Sequence, residues 1–226
     1  MGVKERQERE REAVRARILD AARELFTSEG YRNVSIRKVA EKIEYSPAAL
    51  YSYFPSKDDL FFALAEQGFR ELHEFLRRPR PYDPLEAVRD GFMHYYRFSR
   101  THPQYFDLMF VDQSVPGIGR DWQRFAFVHE MLAESVQIVQ RAIDTGVFPP
   151  ETNAEVAFHV LWAAAHGPAA IAHAKRLAPG EDPDALARDT IDAAINGLRH
   201  GVATTFKPAV MHCCPASEVS EKSHVS

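Results

Sequence analysis

The sharpest alternation of apolar and polar positions runs from Ser35 to Lys57, SIRKVAEKIEYSPAALYSYFPSK. Ile36, Val39, Ala40 and Ile43 recur at helical spacing and make one apolar face, with Arg37, Lys38, Glu41 and Lys42 off it. Ser35 stands where its hydroxyl can accept from the free amides of that helix's first turn. Glu44 and Tyr45 form a turn. Ser46 is a second cap, and Pro47 falls at the first helical position, where a missing N–H costs nothing. Leu50 and Phe54 point inward, leaving Ala48, Ala49, Tyr51, Ser52 and Tyr53 outside. The second helix is too short and too poor in apolar anchors for an ordinary core helix. A short helix, a tight turn and a second helix with a free polar face is the layout that places a helix in the DNA major groove.

The pattern stays helical beyond this point. Ser56 caps a helix running to about residue 76, with Asp58 and Asp59 in its first turn, where the macrodipole favours them. The Pro-rich segment RRPRPYDP, residues 77–84, reads as a connector between domains. Further helices are predicted over about 84–101, 103–110, 120–145, 153–176 and 183–200, separated by Gly- and Pro-containing turns. Gly167 followed by Pro168 predicts a kink in the helix over 153–176. No strand-like alternation of useful length occurs. The prediction is an all-α chain of about nine helices. It divides into a helix-turn-helix domain over 1–57 (with an extension over 1–13), a helical domain over 58–206, and a disordered tail over 207–226.

Charge agrees once it is divided. The chain carries a net −4, but residues 1–57 hold 12 Lys+Arg against 9 Asp+Glu, a net +3, and the remainder holds 16 against 23, a net −7. The positive side is the one that would face phosphates. The candidate DNA-contacting residues are Ser35, Arg37, Ser46, Pro47, Ala48, Ala49, Tyr51, Ser52, Tyr53 and Lys57. Alanine methyls can meet thymine methyls. The Tyr51 and Tyr53 hydroxyls can bond phosphate, and Lys57 can pair with one as a point charge. The Glu- and Arg-rich stretch over 4–17 reads either as a solvated helical lead-in or as an arm reaching phosphate or the minor groove.

Three segments carry a family resemblance: ILDAARELFTSEGY, SIRKVAEKI and SPAALYSYFPSKDDLF. Together they resemble the N-terminal domain of TetR-family (AcrR-like) transcriptional regulators, over about residues 14–65. Ile18, Ala21, Ala22, Leu25 and Phe26 match the first helix, Gly30 and Tyr31 its terminating turn, and Val39 and Ala40 the second helix. Leu50, Tyr51, Tyr53, Phe54, Ser56, Lys57 and Leu60 match the third helix and the start of the fourth. The departure is Pro47, Ala48 and Ala49, which offer no side-chain donor where family members commonly carry Lys, Gln, Gly or Thr. Trp162, His166 and Gly167 resemble the WHG motif of one subgroup of TetR-type ligand-binding domains.

The resemblance implies a dimeric repressor of a palindromic operator, released by a small molecule, with the fourth helix coupling the two domains. It also implies that the last two helices, rich in alanine, pair with their copies in a homodimer. Candidate ligand-contacting residues are Tyr95, Phe98, Phe106, Met109, Phe110, Trp122, Phe125, His129, Trp162 and His166, a largely aromatic set suited to a hydrophobic or aromatic molecule. Such residues at inward spacing also serve plain packing. His159, His166 and His173 are seven apart, about 10.5 Å in rise, too far for one ion. No metal or cofactor is expected. The charged N-terminal stretch has no apolar signal core and no run of apolar residues spans a bilayer, so a cytoplasmic protein is expected. Cys213 and Cys214 lie in the tail, where an inert role is expected. No G-x-S-x-G, P-loop or H-E-x-x-H pattern supports an enzyme. A DNA-binding regulator that ignores small molecules, and activation in place of repression, remain open on sequence.

Overall fold

The computed structural model describes residues 2–112, 126–201 and 203–208. Among the described residues there are nine α-helices and no strand: α1 (Val3–Glu29), α2 (Ile36–Lys42), α3 (Pro47–Tyr51), α4 (Lys57–Leu76), α5 (Pro84–Thr101), α6 (Pro103–Phe106), α7 (Ala126–Asp144), α8 (Ala154–His173) and α9 (Pro183–Arg199). The helix ends follow local chemistry. The hydroxyls of Ser35, Ser46 and Ser56 accept from the amides of Lys38, Ala49 and Asp59 at 3.2, 3.2 and 3.0 Å. Asp83 and Asn153 cap α5 and α8 in the same way, at 2.9 and 3.0 Å. Gly30, at φ 73°, ends α1 and returns its amide to the Phe26 carbonyl. Two helices are followed by a left-handed residue other than glycine: Glu44 after α2 and Lys175 after α8 take φ 60° and 53°.

Helices α1 to α3 and the first half of α4 close around Ile18, Ala22, Val39, Ala40, Leu50 and Phe61, none of which has any exposed surface. In the second half of the chain α5 packs against α4, α6, α7, α8 and α9. Helices α8 and α9 pair along their length. Helix α4 reaches both groups: Phe61 meets Phe26 and Tyr31 edge to face, and Phe69 meets Phe110 in the same way.

Two expectations need correction. The helix expected over 103–110 is a short α6 that widens into a π-helical turn, Asp107–Val111, with the Asp112 amide bonded to the Asp107 carbonyl at 2.8 Å. Helix α8 stops three residues short of 176, at the left-handed Lys175. It carries Gly167 and Pro168 within its helical span. Proline leaves the carbonyl four residues earlier without its amide partner. Here the Thr190 hydroxyl of α9 reaches that Ala164 carbonyl at 3.1 Å, besides its own helix's Leu186 carbonyl at 2.8 Å. The expected tail lies outside the described residues from 209 onward, with both cysteines.

Candidate DNA interface and ligand cavity

Helix α3 is only five residues long, yet its position is set from both sides. Leu50 is wholly buried and Phe54 nearly so. Ser46 fixes the entry, and the Ser52 hydroxyl donates to the Ala49 carbonyl at 2.6 Å at the exit. The turn before it is closed by the Tyr45 amide on the Ala40 carbonyl, at 2.9 Å, which holds Glu44 left-handed. The result exposes Ser46, Pro47, Ala48, Tyr51 and Ser52 on one surface, with Ser35 and Arg37 exposed beside them on α2. Ala49, Tyr53 and Lys57 are partly covered.

The cations of this region are already engaged. Arg37 pairs with Glu41 at 2.9 Å, Lys42 with Glu24 at 2.9 Å, and Lys38 with Glu29. Lys42 holds the Glu24 carboxyl below its ordinary range. These pairs are exposed and contribute little, so exchanging a carboxylate for a phosphate costs little. Lys57 differs. Its ammonium donates to the Tyr31 carbonyl and lies 3.8 Å from the centre of the Tyr31 ring. Burial lowers its pKa. In this structure Lys57 ties the start of α4 to the end of α1.

The stretch over 4–17 is helical and continuous with α1. Its arginines brace the helix-turn-helix: Arg11, Arg15 and Arg17 lie over the rings of Tyr53, Phe54 and Tyr45 at 5.6, 5.4 and 5.6 Å. Sequence periodicity gave no hint of this, because each arginine's partner lies about 28 to 42 residues away.

Between α4, α5, α7 and α8 lies a cavity of about 340 Å³. Phe69, Leu72 and Leu76 of α4 form one wall, and Val88, Phe92 and Tyr95 of α5 another. Met109 and Phe110 of the π-helical turn, Met131 and Leu132 of α7, and Phe158 and Trp162 of α8 complete it. Its polar lining groups are Arg80, Ser135 and His159. Tyr95, Met109, Phe110 and Trp162 therefore line the space, as candidates from the sequence. Phe98 and Phe106 do not: both are wholly buried in the core, Phe98 stacked on His102 at 4.6 Å and Phe106 against His166 at 5.4 Å. His129 follows the lining residue Val128 on α7 but is not itself part of the lining. Trp122 and Phe125 lie outside the described residues.

His166 sits behind the wall. Its Nδ1 is 2.8 Å from the Tyr95 hydroxyl, and burial lowers its pKa, so the neutral ring accepts from Tyr95. Trp162 is four residues earlier on the same face of α8, its ring 5.5 Å from that of His166, and it bears on the same hydroxyl. The Trp and His of the WHG-like motif thus converge on one tyrosine of α5. His159 lies at the cavity wall and His173 pairs with Asp107 at 2.9 Å, so the three histidines serve separate purposes.

Sequence reasoning missed the α4 contribution, because Phe69, Leu72 and Leu76 read as ordinary core spacing. It also missed Arg80, which stands in the Pro-rich segment read as a connector. A lone arginine among prolines carries no periodic signal.

Contacts join the cavity wall to α4 and α1. A Cβ on Gly68 of α4 would stand 2.7 Å from Met109 Sδ and 2.9 Å from Tyr105 Cδ1, so glycine lets the π-helical turn press onto α4. Tyr105 accepts from Arg23 of α1 at 2.8 Å. No helix among the described residues is long and apolar enough to cross a membrane.

Two family models match the chain: bacterial regulatory proteins of the tetR family over residues 18–64, and the tetracyclin repressor-like C-terminal domain over residues 88–194. The chain is 28% identical over 195 residues to the HTH-type transcriptional repressor Rv1474c of Mycobacterium tuberculosis, covering 83% of this chain and 94% of that protein. It is 36% identical over 75 residues to the HTH-type transcriptional repressor KstR of Rhodococcus jostii, covering 33% of this chain and 35% of that protein. Among solved structures it is similar to a protein of unknown function from Rhodococcus sp. RHA1, with a TM-score of 0.71, 26% identity, and 82% and 95% of the two chains covered. The fold is also shared with the fatty acid degradation regulator FadR of Bacillus halodurans, with a TM-score of 0.65, 17% identity, and 81% and 99% covered.

Proposed function

Because this chain belongs to the TetR family of transcriptional repressors, we propose that it is a homodimer that leaves a palindromic operator when a small hydrophobic or aromatic molecule enters the cavity. Residues 1–57 read the DNA and residues 58–206 hold the ligand and the dimer contact. The observation that carries this reading is the position of α4. One end of it supports the helix-turn-helix through Leu60 and Phe61, and the other walls the cavity through Phe69, Leu72 and Leu76.

The mechanism is a population shift. A molecule that prefers one arrangement of Met109, Phe110 and Phe69 biases the π-helical turn, the contact at Gly68 and the Tyr105–Arg23 bond. The spacing of the two α3 helices then departs from that of successive major grooves. Outward-facing apolar residues of α8 support the dimer. Ala163, Gly167 and Ile171 recur every four residues along α8, and a Cβ at Gly167 would meet open space. Ala193 is exposed on α9 beside them. A second copy with the same flat face packs by two-fold symmetry.

The test is a gel shift of the full chain on DNA upstream of its own coding region, with and without a cell extract. A specific shift released by the extract is expected from the wild type. Tyr105→Phe should still bind DNA but respond more weakly to the extract. A shift that the extract never releases would favour a ligand-independent DNA-binding regulator, and failure to bind any upstream DNA would overturn the placement of α3.

A further inference from the structure

We propose that the cavity takes an anionic amphiphile, an apolar tail bearing one carboxylate, and that Arg80 seats the carboxylate. The inference rests on the ligand-controlled reading above and names the class of ligand. Among the described lining residues Arg80 carries the one permanent charge. It is borne by the connector between α4 and α5, yet its side chain is turned inward. Nη2 donates to the Leu76 carbonyl at 3.0 Å. Nη1 lies over Gly91 of α5, where a Cβ would stand only 2.6 Å from it. Glycine at 91 is therefore what makes room for the guanidinium against α5.

The guanidinium is under-used. The Leu76 bond occupies one of its five donors. Two acids bear on it electrostatically, and both have other partners. Asp90 lies 3.1 Å from His94, and Glu134 lies 2.9 Å from His73 and 3.7 Å from Arg77. Burial lowers the pKa of Arg80, yet an arginine keeps its charge in a protein. A cation facing an apolar space is costly until an anion joins it. A carboxylate meets the planar fork with two parallel bonds, and the tail then fills a wall of Leu72, Val88, Phe92 and Met131. A neutral tail forfeits the first interaction, and a cationic one is repelled.

A second space points the same way. It has about 160 Å³, is lined by His73, Arg77 and Glu134, and shares Leu76, Arg80, Met131, Ser135 and Ile138 with the cavity. Arg80 thus stands between a polar vestibule and an apolar chamber. That is the order in which an amphiphile would place head and tail.

The experiment is calorimetric titration of the full-length protein with decanoate, decanol and decyltrimethylammonium, each below its aggregation concentration, with operator release measured alongside. Decanoate is expected to bind at least about tenfold more tightly than decanol, and decyltrimethylammonium most weakly. Arg80→Met should bring decanoate down to parity with decanol while leaving decanol unchanged. Should Arg80→Met fail to fold, Gly91→Ala keeps the charge but displaces the guanidinium, and it should narrow the preference likewise. Decanol binding as tightly as decanoate, or a preference that survives both variants, would overturn the carboxylate seat and leave the ligand-controlled reading standing. No heat with any of the three would also overturn it. Preferential decanoate binding that never releases the operator would support the seat and overturn the regulatory reading.

Discussion

At one end of the molecule Phe26, Tyr31 and Phe61 close on each other edge to face, with ring centres 5.7 and 4.9 Å apart. At the other end Phe92 and Phe158, 5.9 Å apart, stand with Tyr95 around about 340 Å³ of space. The same residue type thus fills one domain and walls a cavity in the other. Filled packing fixes where α3 sits, through Leu50 and Phe54. A cavity forgoes contact energy that a ligand can restore, and restored contact is what a differential binder needs in order to shift an equilibrium.

The largest expected effect tests this contrast directly. Phe61→Ala removes a wholly buried ring packed on Phe26 and Tyr31, and should cost about 3–5 kcal/mol. Phe92→Ala enlarges a space that already exists, so its cost should fall clearly below that of Phe61→Ala, near the lower end of that range or under it. Urea unfolding of both variants checks the difference. Equal losses would mean that the second domain is as tightly filled as the first.

Between these two residues also lies the limit of what the sequence disclosed. The helix-turn-helix was legible because its signals are local: Ser35, Ser46 and Ser56 each cap the helix that follows, Pro47 opens α3, and Ile36, Val39 and Ala40 repeat at helical spacing. The family pattern then fixed its identity. The cavity was legible only in part. An inward aromatic such as Tyr95 or Phe106 has the same spacing whether it faces a void or a neighbour; Tyr95 faces the void and Phe106 does not. Which of the two holds is decided by how α4, α5, α7 and α8 sit together, and that is long-range. Arg80 is the extreme case, since its neighbour Gly91 matters only for lacking a side chain. The carbonyl that Pro168 frees is likewise reached from another helix, by Thr190.

A smaller effect separates the two ends by pH. Burial depresses the pKa of His166 in the folded chain, whereas in the unfolded chain it returns to about 6.5. The folded state therefore binds fewer protons there. Its stability is complete above about pH 6.5 and declines as pH falls from that value through the folded one, by up to about 1.4 kcal/mol per pH unit. His166→Gln should flatten that segment of a stability-against-pH curve. Because His166 accepts from Tyr95 at the cavity wall, ligand affinity should weaken over the same window while DNA affinity does not. A slope unchanged by His166→Gln would place the titration elsewhere.

The smallest effect concerns the two left-handed residues, one after α2 and one after α8. Glu44 and Lys175 hold φ 60° and 53°, a conformation costing a residue with a side chain about 1–2 kcal/mol. Glycine removes that strain but loses about 0.5–1 kcal/mol to its greater freedom when unfolded. Glu44→Gly and Lys175→Gly should therefore each stabilise the fold by a few tenths to about 1 kcal/mol, read as a higher midpoint in urea. Only Glu44 lies in the turn that sets α3 against α2, and only its replacement deletes a negative charge beside the exposed face of α3. Glu44→Gly should accordingly strengthen DNA binding slightly at low salt and lose that advantage at high salt, because the repulsion it removes is screened. Lys175→Gly should leave DNA binding unchanged at both. If Glu44→Gly stabilises the fold yet weakens DNA binding, the left-handed glutamate is holding α3 at its working angle, and the placement of α3 ascribed to filled packing resides in the turn more than in the core beneath it.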